Sequence, residues 1–494
     1  GARTAASPTP ASNVSGPAVT DQNRRILDGS VPLEVARFGT PLALGMGLQV
    51  TFNLVDAYLI SRLPHEVAGP ALGAIGICDQ LAALGTIVSY GLSVATGAIV
   101  SRKQGAGDGS GVRSTAWQSL LLVLGLSLVF GLAGMLGARF LIADLVGAKG
   151  DVAELGAHYL TVMLGGSFSI FLLLHLTTVQ RALGSSKTPA SLLVLANVLN
   201  FVLAVLFVYG PGQAPPVFSW GPPIASALGI PRMELMGAAW ATVLARILVL
   251  LPVWWLLTRR FGLFRLDSVR KPDLRALSSI WRVGWPSSTQ LVVRIAAMLV
   301  MHSLVARAYT THNDQSATTA LGIVFRLETM ALFVGLGWGS AAQTFVGQNL
   351  GANRPERAAN AGWYAALYNA AMMTLLALAY RAWGRDIIGF FDQSPSVVEV
   401  GVSYVSAVGF SYVALGIGIV LGAAIQGAGA TKQTLGIDSV VVFAFQLPVA
   451  YLVVFGLGAP LERLWQVIAW SYVAFAALYV GSYRRGSFLR TALP

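Results

Sequence analysis

The sequence predicts an all-α polytopic membrane protein with 12 transmembrane helices in two six-helix bundles. Three observations support this fold class. The charged fraction of the 494 residues is 11% and the hydrophobic fraction is 55%, whereas about a quarter of the residues of a soluble domain are charged. Apolar runs such as 116–138 and 189–209 are long enough to cross a bilayer as helices. The third observation is an internal repeat, described below.

We predict twelve spans from the apolar runs. A transmembrane β-barrel is excluded because the runs are uniformly apolar and lack alternation with a period of two. An even number of spans places both termini on one side of the membrane. The predicted spans are 33–61, 67–99, 114–139, 155–178, 189–210, 235–258, 277–308, 317–346, 360–383, 400–425, 434–457 and 462–482.

The basic residues predict the orientation. With the N-terminus in the cytoplasm, the inner segments and the span ends beside them hold 22 of the 33 Lys and Arg residues, and the outer ones hold eight. Cytoplasmic loops of membrane proteins carry such an excess. We therefore expect a multi-pass protein of the inner (plasma) membrane with both termini in the cytoplasm. This bias accounts for the net charge of +12, and no nucleic-acid partner is expected.

The second half of the chain repeats the first at an offset of about 245 residues. RFGTP at 37–41 recurs as RVGWP at 282–286, and GSSK at 184–187 recurs as GATK at 429–432. Each half holds six spans, so both halves enter the membrane in the same direction. We expect a pseudo-two-fold axis along the membrane normal and a central cleft between the bundles, which is transporter architecture.

The repeat divides the chain into five predicted parts. The central basic stretch separates the two halves. The parts are a disordered cytoplasmic tail at 1–30, an N-terminal lobe at 31–258, a cytoplasmic linker at 259–275, a C-terminal lobe at 276–485 and a cytoplasmic tail at 486–494.

Ionisable side chains inside the spans are candidates for function. A charge near the middle of a bilayer costs about 3 kcal/mol or more, so its presence needs a reason. Three acids and three bases lie well inside the predicted spans, and their charges balance. These six residues are Asp56, Asp79, Glu328, Arg246, Arg294 and Arg326.

Asp56 in span 1 is the strongest candidate for coupling transport to an ion gradient. A carboxylate in this setting can load and release a proton. It can equally contribute to a Na⁺ site with Asn200 and Thr242, because hard cations prefer oxygen ligands. The structural alternative is a permanent ion pair with Arg246 or Arg294. We favour H⁺, because a proton needs only one exchangeable site.

Glu328, Arg294 and Asp79 are candidates for the substrate cavity. Glu328 can bind a cationic substrate, relay protons or form an ion pair. A cavity-facing Arg294 would favour anionic or zwitterionic substrates, or would take the place of a bound cation, with Asp79 as its candidate partner. These alternatives stay open at the level of sequence.

Further cavity candidates are Phe52, Asn53 and Trp338, since aromatic faces bind hydrophobic cations. Packing or lipid contact is the alternative for each aromatic ring. Pro41 predicts a kink in span 1, because proline removes a backbone hydrogen bond. Our hypothesis is that protonation of Asp56 bends span 1 at Pro41 and expels substrate, and the alternative is a static kink that serves packing.

Several motifs, in order along the spans, resemble the multidrug and toxic compound extrusion (MATE) family. Span 1 carries Pro41 and then Asn-Leu-Val-Asp-Ala-Tyr at 53–58, and the loop after span 8 reads Val-Gly-Gln-Asn-Leu-Gly-Ala at 346–352. The resemblance covers nearly all of 31–485. It implies two six-helix lobes around a V-shaped cavity. It also implies export of organic, often cationic and amphipathic, compounds driven by inward flow of H⁺ or Na⁺.

The resemblance is nearer to the DNA-damage-inducible F branch than to the branch of sodium-coupled norfloxacin exporters. In the former, an Asp of span 1, an Asn and an Asp of span 5, a Thr of span 6 and an Asn of span 4 form a polar cluster. Asp56, Asn200 and Thr242 match three of these positions, whereas Ala204 replaces the second Asp and Thr177 replaces the span-4 Asn.

The norfloxacin-exporter branch uses acidic residues in spans 7 and 10. Those positions are Arg294 and Leu415 in this chain. The second lobe therefore lacks the carboxylates that the resemblance would place there, and the first lobe carries about half of its usual cluster.

The predicted function is secondary antiport, in which amphipathic organic compounds leave in exchange for H⁺, with Na⁺ as the alternative ion. The predicted partners are small organic substrates and membrane lipid, the protein is expected to act as a monomer, and no cofactor is needed. One alternative is a flippase for a lipid or a lipid-linked precursor. Another is an exporter of anionic or zwitterionic metabolites. A membrane-bound enzyme is disfavoured because no loop carries a catalytic cluster.

Overall fold

The structure, a computed structural model, describes residues 21–145, 149–264, 271–311 and 313–493. Side chains of several residues between 49 and 88 lie outside this description. All regular secondary structure in the described residues is helical. The helices of the first half are α1 (Asp21–Asp28), α2 (Val31–Ser61), α3 (His65–Gly105), α4 (Gly109–Arg139), α5 (Gly150–Gly165), α6 (Ser167–Ala182), α7 (Lys187–Tyr209), α8 (Gly221–Ala227) and α9 (Glu234–Phe261).

The second half contains eight further helices in its described part. Two short π-helical stretches join α15, α16 and the residues after them into one apolar segment, Thr431–Gly456. The helices are α10 (Leu274–Ala308), α11 (Ser316–Gly351), α12 (Pro355–Phe391), α13 (Pro395–Val408), α14 (Ser411–Gly427), α15 (Thr431–Ser439), α16 (Leu447–Tyr451) and α17 (Leu461–Arg485).

The number of long helical segments agrees with the twelve predicted spans. Among the described residues, nine segments are long and apolar enough to cross a membrane, or ten when α13 and α14 count as one bent span. The helices α2 and α3, of 31 and 41 residues, complete the twelve.

Spans 4 and 10 are broken, although the sequence predicted each as one helix. Span 4 divides at Gly166 into α5 and α6, and span 10 divides at Gly409 into α13 and α14, which are inclined by 58°. Glycine allows such breaks because it has no Cβ to restrain the backbone. The helix α6 begins at Ser167 and α14 at Ser411, close to the repeat offset, so the two breaks are equivalent features of the lobes.

The two lobes, α2–α9 and α10–α17, meet at the end of the molecule that carries both termini. One buried cluster combines Phe38 and Leu42 of α2 with Phe345 of α11. The helices α3 and α10 also approach closely, and Ser288 Oγ donates a hydrogen bond of 3.0 Å to the carbonyl of Ile87. Small residues permit this approach, as is common between membrane helices.

The hydrophobic clusters at the opposite end each belong to a single lobe. In the described part of the chain, the cluster around Leu59 and Tyr209 contains only residues of the first lobe. The cluster around Met301, Tyr404 and Trp465 contains only residues of the second. The described hydrophobic clusters therefore join the lobes at one end and not at the other.

The predicted disordered tail at 1–30 is wrong for its last part, because Asp21–Asp28 forms α1. This helix is ordered by tertiary contact, since Ile26 is 1% exposed and belongs to the cluster that joins the lobes. Residues 1–20 and residues 265–270 of the predicted linker lie outside the described residues.

Candidate functional site

Asp56, Asn200 and Thr242 form one hydrogen-bonded chain inside the first lobe. The Asn200 Nδ2 group donates to both carboxylate oxygens of Asp56, at 3.3 Å each. Thr242 Oγ1 lies 3.0 Å from Asn200 Oδ1 and donates to it. Asn200 is 9% exposed and Asp56 is half-buried. The structure thus brings together three residues that the sequence singled out.

Close packing of α7 against α9 and α2 positions this chain. Gly237 of α9 lies against the backbone of Phe207 in α7, where an added Cβ would come within 2.6 Å of the carbonyl carbon. Tyr209 Oη, near the end of α7, donates to the carbonyl of Leu59 in α2 at 2.8 Å. These contacts fix the three helices, which carry Asp56, Asn200 and Thr242, at hydrogen-bonding distance.

The orientation of the Asn200 amide determines what the chain can bind. Its nitrogen faces Asp56 and its oxygen accepts from Thr242, so the amide oxygen is directed away from the carboxylate. A Na⁺ site needs several oxygens that converge on one point. No group of three or more His, Cys, Asp or Glu side chains that could hold a metal ion occurs among the described residues.

Thr177 does not reach Asp56 through any contact of the described residues. It is fully buried, and its hydroxyl donates to the carbonyl of Leu173 in its own helix at 2.7 Å. The side chains of the remaining candidates Phe52, Asn53 and Asp79 lie outside the described residues.

Trp338 was predicted to line the cavity, and this prediction is wrong. Its side chain is 3% exposed, and its indole Nε1 donates to Met372 Sδ at 2.9 Å. The ring fills the space over Gly39, which has no side chain of its own. Trp338 therefore belongs to the packing between α2 and α11. Pro41 lies inside α2 as predicted, two residues beyond this contact.

The second lobe holds another polar cluster, centred on Arg294. Arg294 Nε donates to Asp438 Oδ2 at 2.6 Å, and Tyr479 Oη donates to Asp438 Oδ1 at 2.6 Å. The guanidinium carbon lies 5.2 Å from the centre of the Phe475 ring. Asp438 is thus the ion-pair partner of Arg294 in the described part of the chain.

Asp438 was missed by the analysis of the sequence. It lies five residues into the predicted span 434–457, so it should have been counted with the six ionisable side chains inside the spans. Its side chain is 1% exposed. A buried carboxylate needs a cationic partner or several donors, and Asp438 has both.

Tyr90 extends the Arg294 cluster into the first lobe. Its hydroxyl hydrogen-bonds with the Gln426 side chain and lies near Arg294. Gln426 Nε2 donates to Gln290 Oε1 at 2.7 Å, and Gln290 Nε2 donates to Tyr479 Oη at 3.1 Å. Tyr90 lies between Ile87 and Gly91, which both contact α10, so the cluster spans the contact between the lobes.

Glu328 is bound by tyrosines from α13 and α17. Tyr404 Oη donates to Glu328 Oε2 at 2.8 Å, and Tyr472 Oη donates to Oε1. Within the described ranges, no Lys, Arg or His forms an ion pair with Glu328. The predicted ion pair is therefore absent there, and Arg326 is exposed on another face of α11. Nothing in the local sequence indicated these tyrosines, which lie 76 and 144 residues further along the chain.

Comparisons with known proteins identify transporters as relatives. The MatE family model matches residues 41–206 and 294–452, one range in each lobe. A probable multidrug resistance protein of Bacillus subtilis, YpnP, is 28% identical over 423 residues, which cover 85% of this chain and 88% of that protein. An FAD transporter of Shewanella oneidensis is 25% identical over 432 residues, which cover 86% and 89%.

Solved transporter structures share the fold. A MOP superfamily transporter from Pyrococcus furiosus matches with a TM-score of 0.83 at 24% identity, over 95% of this chain and 98% of that one. A multidrug resistance transporter in an outward-facing conformation matches with a TM-score of 0.82, at the same identity and coverage. These similarities confirm the predicted all-α fold of two six-helix lobes.

Proposed function

Because the chain belongs to the multidrug and toxic compound extrusion (MATE) family, whose members are transporters and not enzymes, we propose that it exports amphipathic organic compounds, often cationic, in exchange for H⁺. The observation that supports this proposal best is the chain Asp56–Asn200–Thr242. It offers one exchangeable carboxylate, and the oxygen of the Asn200 amide accepts from Thr242 while its nitrogen faces Asp56. The match of these three residues to the family pattern supports our proposal that the protein is nearer to the DNA-damage-inducible F branch.

The coupling mechanism follows from the position of Asp56 on α2. An ionised carboxylate accepts a charge-assisted hydrogen bond from Asn200, and protonation weakens that bond. The contact between α2 and α7 at Asp56 is then weakened. Pro41 marks the point where α2 bends most easily, because its nitrogen cannot donate to the backbone.

A bend at Pro41 would act directly on the contact between the lobes. Gly39 lies under Trp338 of α11, and Ala43 lies against Gly337 of the same helix. Pro41 stands between these two contacts. Protonation of Asp56 is therefore linked through α2 to the contact between α2 and α11, which joins the two lobes.

The proposed orientation has both termini, the linker 259–275 and the loops after spans 2 and 8 in the cytoplasm, with the lobes at 31–258 and 276–485. The cleft then opens outward. The protein acts as a monomer, since one chain supplies both lobes. Side chains such as Leu136 and Phe390, which are 87% and 84% exposed, face lipid.

The test is uptake of a fluorescent lipophilic cation into inverted vesicles under an imposed proton or sodium gradient. Wild type is compared with Asp56→Asn, and Asp314→Asn serves as a control because Asp314 caps an exposed turn. Uptake that is driven by the proton gradient and lost only in Asp56→Asn supports the proposal. Uptake that is driven by sodium alone contradicts H⁺ coupling. No uptake under either gradient contradicts export of cations.

A second candidate substrate class is anionic or zwitterionic compounds, and Arg294 favours it. Its side chain is 28% exposed at the base of the cleft, and only its Nε atom has an acceptor among the described residues. The terminal nitrogens are left to bind a carboxylate or phosphate in a bidentate manner. The similarity to an FAD transporter points the same way. FAD uptake lost in Arg294→Gln, with cation uptake retained, would support this class.

A further inference from the structure

We propose that the two terminal segments of the chain are latches that hold the lobes together, and that each must leave its groove before the cleft opens at the end carrying the termini. The N-terminal latch is α1, Asp21–Asp28, and the C-terminal latch is 487–493. The inference rests on the proposed transport function, in which the cleft opens alternately at the two ends of the molecule. It adds that α1 and 487–493 occupy two grooves between the lobes.

The N-terminal latch lies in a groove beside Gly184, which follows α6 in the first lobe. Asn23 is 4% exposed and Ile26 is 1% exposed. A Cβ placed on Gly184 would collide with the Asn23 amide and would lie 3.2 Å from Ile26 Cδ1. The groove therefore exists because residue 184 is a glycine, with φ +90°, a backbone conformation that side chains disfavour.

The second lobe holds the same latch from the other side. Gln348 Nε2 donates to Asn23 Oδ1 at 3.3 Å. Arg354 Nη1 donates to the carbonyl of Leu27 at 2.6 Å, and Arg357 donates to the carbonyls of Ile26 and Gly29. Two arginines of the second lobe thus bind the C-terminal end of α1, where unpaired carbonyls and the helix dipole favour cations.

The C-terminal latch has the opposite arrangement, because it belongs to the second lobe and packs against the first. It follows α17 of the second lobe, where Phe488 is fully buried and stacks on Tyr483. Leu493 lies over Gly429, whose φ is +86°, and also packs with the cluster that contains Leu92 and Ile99 of α3. The tail of the second lobe is therefore inserted against the first.

Arg102 of the first lobe completes this site. Its Nη1 atom donates to the carbonyl of Thr491 in the latch at 2.7 Å and to the carbonyl of Ala428 at 3.3 Å. In the other groove, Gln348 Nε2 donates to the carbonyl of Ala182 at 2.8 Å. Each groove is thus crossed by a hydrogen bond from one lobe to the other.

The two grooves are equivalent by the internal repeat. Gly429 is the counterpart of Gly184 at an offset of 245 residues, and Gln348 is the counterpart of Arg102 at an offset of 246. Two unrelated segments, a helix before the first span and a turn after the last, therefore fill the same place in the two halves. A pair of occupants at symmetric positions is expected if both have the same task.

The latches can be released because each is held by few contacts. The N-terminal latch has the deeply buried Ile26 as its apolar anchor at the lobe junction, and the C-terminal latch contacts the first lobe through Leu493, which is partly buried. Each latch adds a small number of hydrogen bonds. The grooves are lined by buried polar groups such as Gln348, which water can solvate once the lobes part. Release therefore costs little compared with unfolding of a span.

A cysteine reporter between the lobes tests the proposal. Cys78 is replaced by Ser, which can keep the hydrogen bond to the carbonyl of Gly156. Ser101 of α3, which is fully buried against Gly347 of α11, is replaced by Cys. A membrane-impermeant maleimide is added on the side of the termini. Its reaction rate then reports how often the lobes part there.

The latches are weakened separately and together in this background. Ile26→Ala with Arg354→Ala weakens the N-terminal latch, and deletion of 491–494 removes the end of the C-terminal one. Arg24→Ala and Arg490→Ala are the matched controls, since neither side chain has a hydrogen bond among the described residues. Unfolding temperatures in detergent are measured for each variant, so that loss of fold is recognised.

We expect the labelling rate to rise about fivefold for each weakened latch, which corresponds to about 1 kcal/mol, and to rise further for both. The controls should label at the parent rate. Equal rates in all folded variants, or no labelling in any of them, would overturn the proposal. Failure of transport under both ion gradients would instead contradict the proposed function, because labelling is measured without substrate or gradient.

Discussion

Arg294 of α10 and Asp438 of α15 form an ion pair in which the acid is buried and the base is partly exposed. The Arg294 Nε and Asp438 Oδ2 atoms are 2.6 Å apart. The Asp438 side chain is 1% exposed, whereas that of Arg294 is 28% exposed. Asp438 also accepts a hydrogen bond from Tyr479, so its charge is fully compensated within the protein. The acid is thus a fixed structural anion, and the base keeps part of its surface exposed.

We predict that Arg294→Met lowers the free energy of unfolding by about 3 kcal/mol or more, because it leaves the Asp438 carboxylate buried without a cation. The double variant Arg294→Met/Asp438→Leu should recover much of this loss, since it removes both charges. Denaturant unfolding in detergent provides the comparison. Arg326→Met, at an exposed position, is the control. A double variant as unstable as the single one would show that the charge is not the cause.

The Asn200 amide should set the pH dependence of transport. It donates to both oxygens of Asp56. Asn200→Ala removes both of these hydrogen bonds, so the pH of half-maximal transport should change. Asn197→Ala, on the same helix, should leave it in place. A lower rate with an unchanged pH profile would reduce Asn200 to a packing role.

The spans, the repeat and the first-lobe cluster were predictable from the sequence. Apolar runs predict the spans and basic loops predict the orientation, because both can be recognised from local composition alone. Asp56, Asn200 and Thr242 were recognised together through the family resemblance, and the structure connects them. The break of span 4 was not predicted, because a single Gly166 within an apolar run does not by itself interrupt a helix.

The second lobe was less predictable, because its contacts join residues far apart in the chain. Arg294 and Asp438 are separated by 144 positions, and no spacing rule pairs them. Glu328 could be recognised as an acid inside a span, but its tyrosine partners come from two later helices. The helix α1 was hidden for a similar reason, since a short polar segment becomes ordered only against the folded lobes.

Glu328 should contribute to the binding of cations. Tyr404 and Tyr472 satisfy its carboxylate without cancelling its charge. We predict that Glu328→Gln lowers transport of a lipophilic cation about tenfold, equivalent to about 1.4 kcal/mol, and spares a neutral substrate of similar shape. One phenol can still donate to the amide oxygen and the other can accept from the amide nitrogen, so the fold should survive. Glu399→Gln, at an exposed site on α13, is the control. Equal losses for charged and neutral substrates would contradict the prediction.

Gly91 should control how often the contact between α3 and α10 opens. It lies in α3 where that helix meets α10, and a Cβ there would approach the Ser288 nitrogen to 2.8 Å. Backbone cannot move aside as a side chain can, so Gly91→Ala should destabilise the closed junction by about 1–3 kcal/mol. The Ser101→Cys reporter should then react faster from the side of the termini. Gly125→Ala in α4, where a Cβ meets nothing within 4 Å, should leave the rate unchanged. If both variants label at the parent rate, contact at Gly91 does not limit opening.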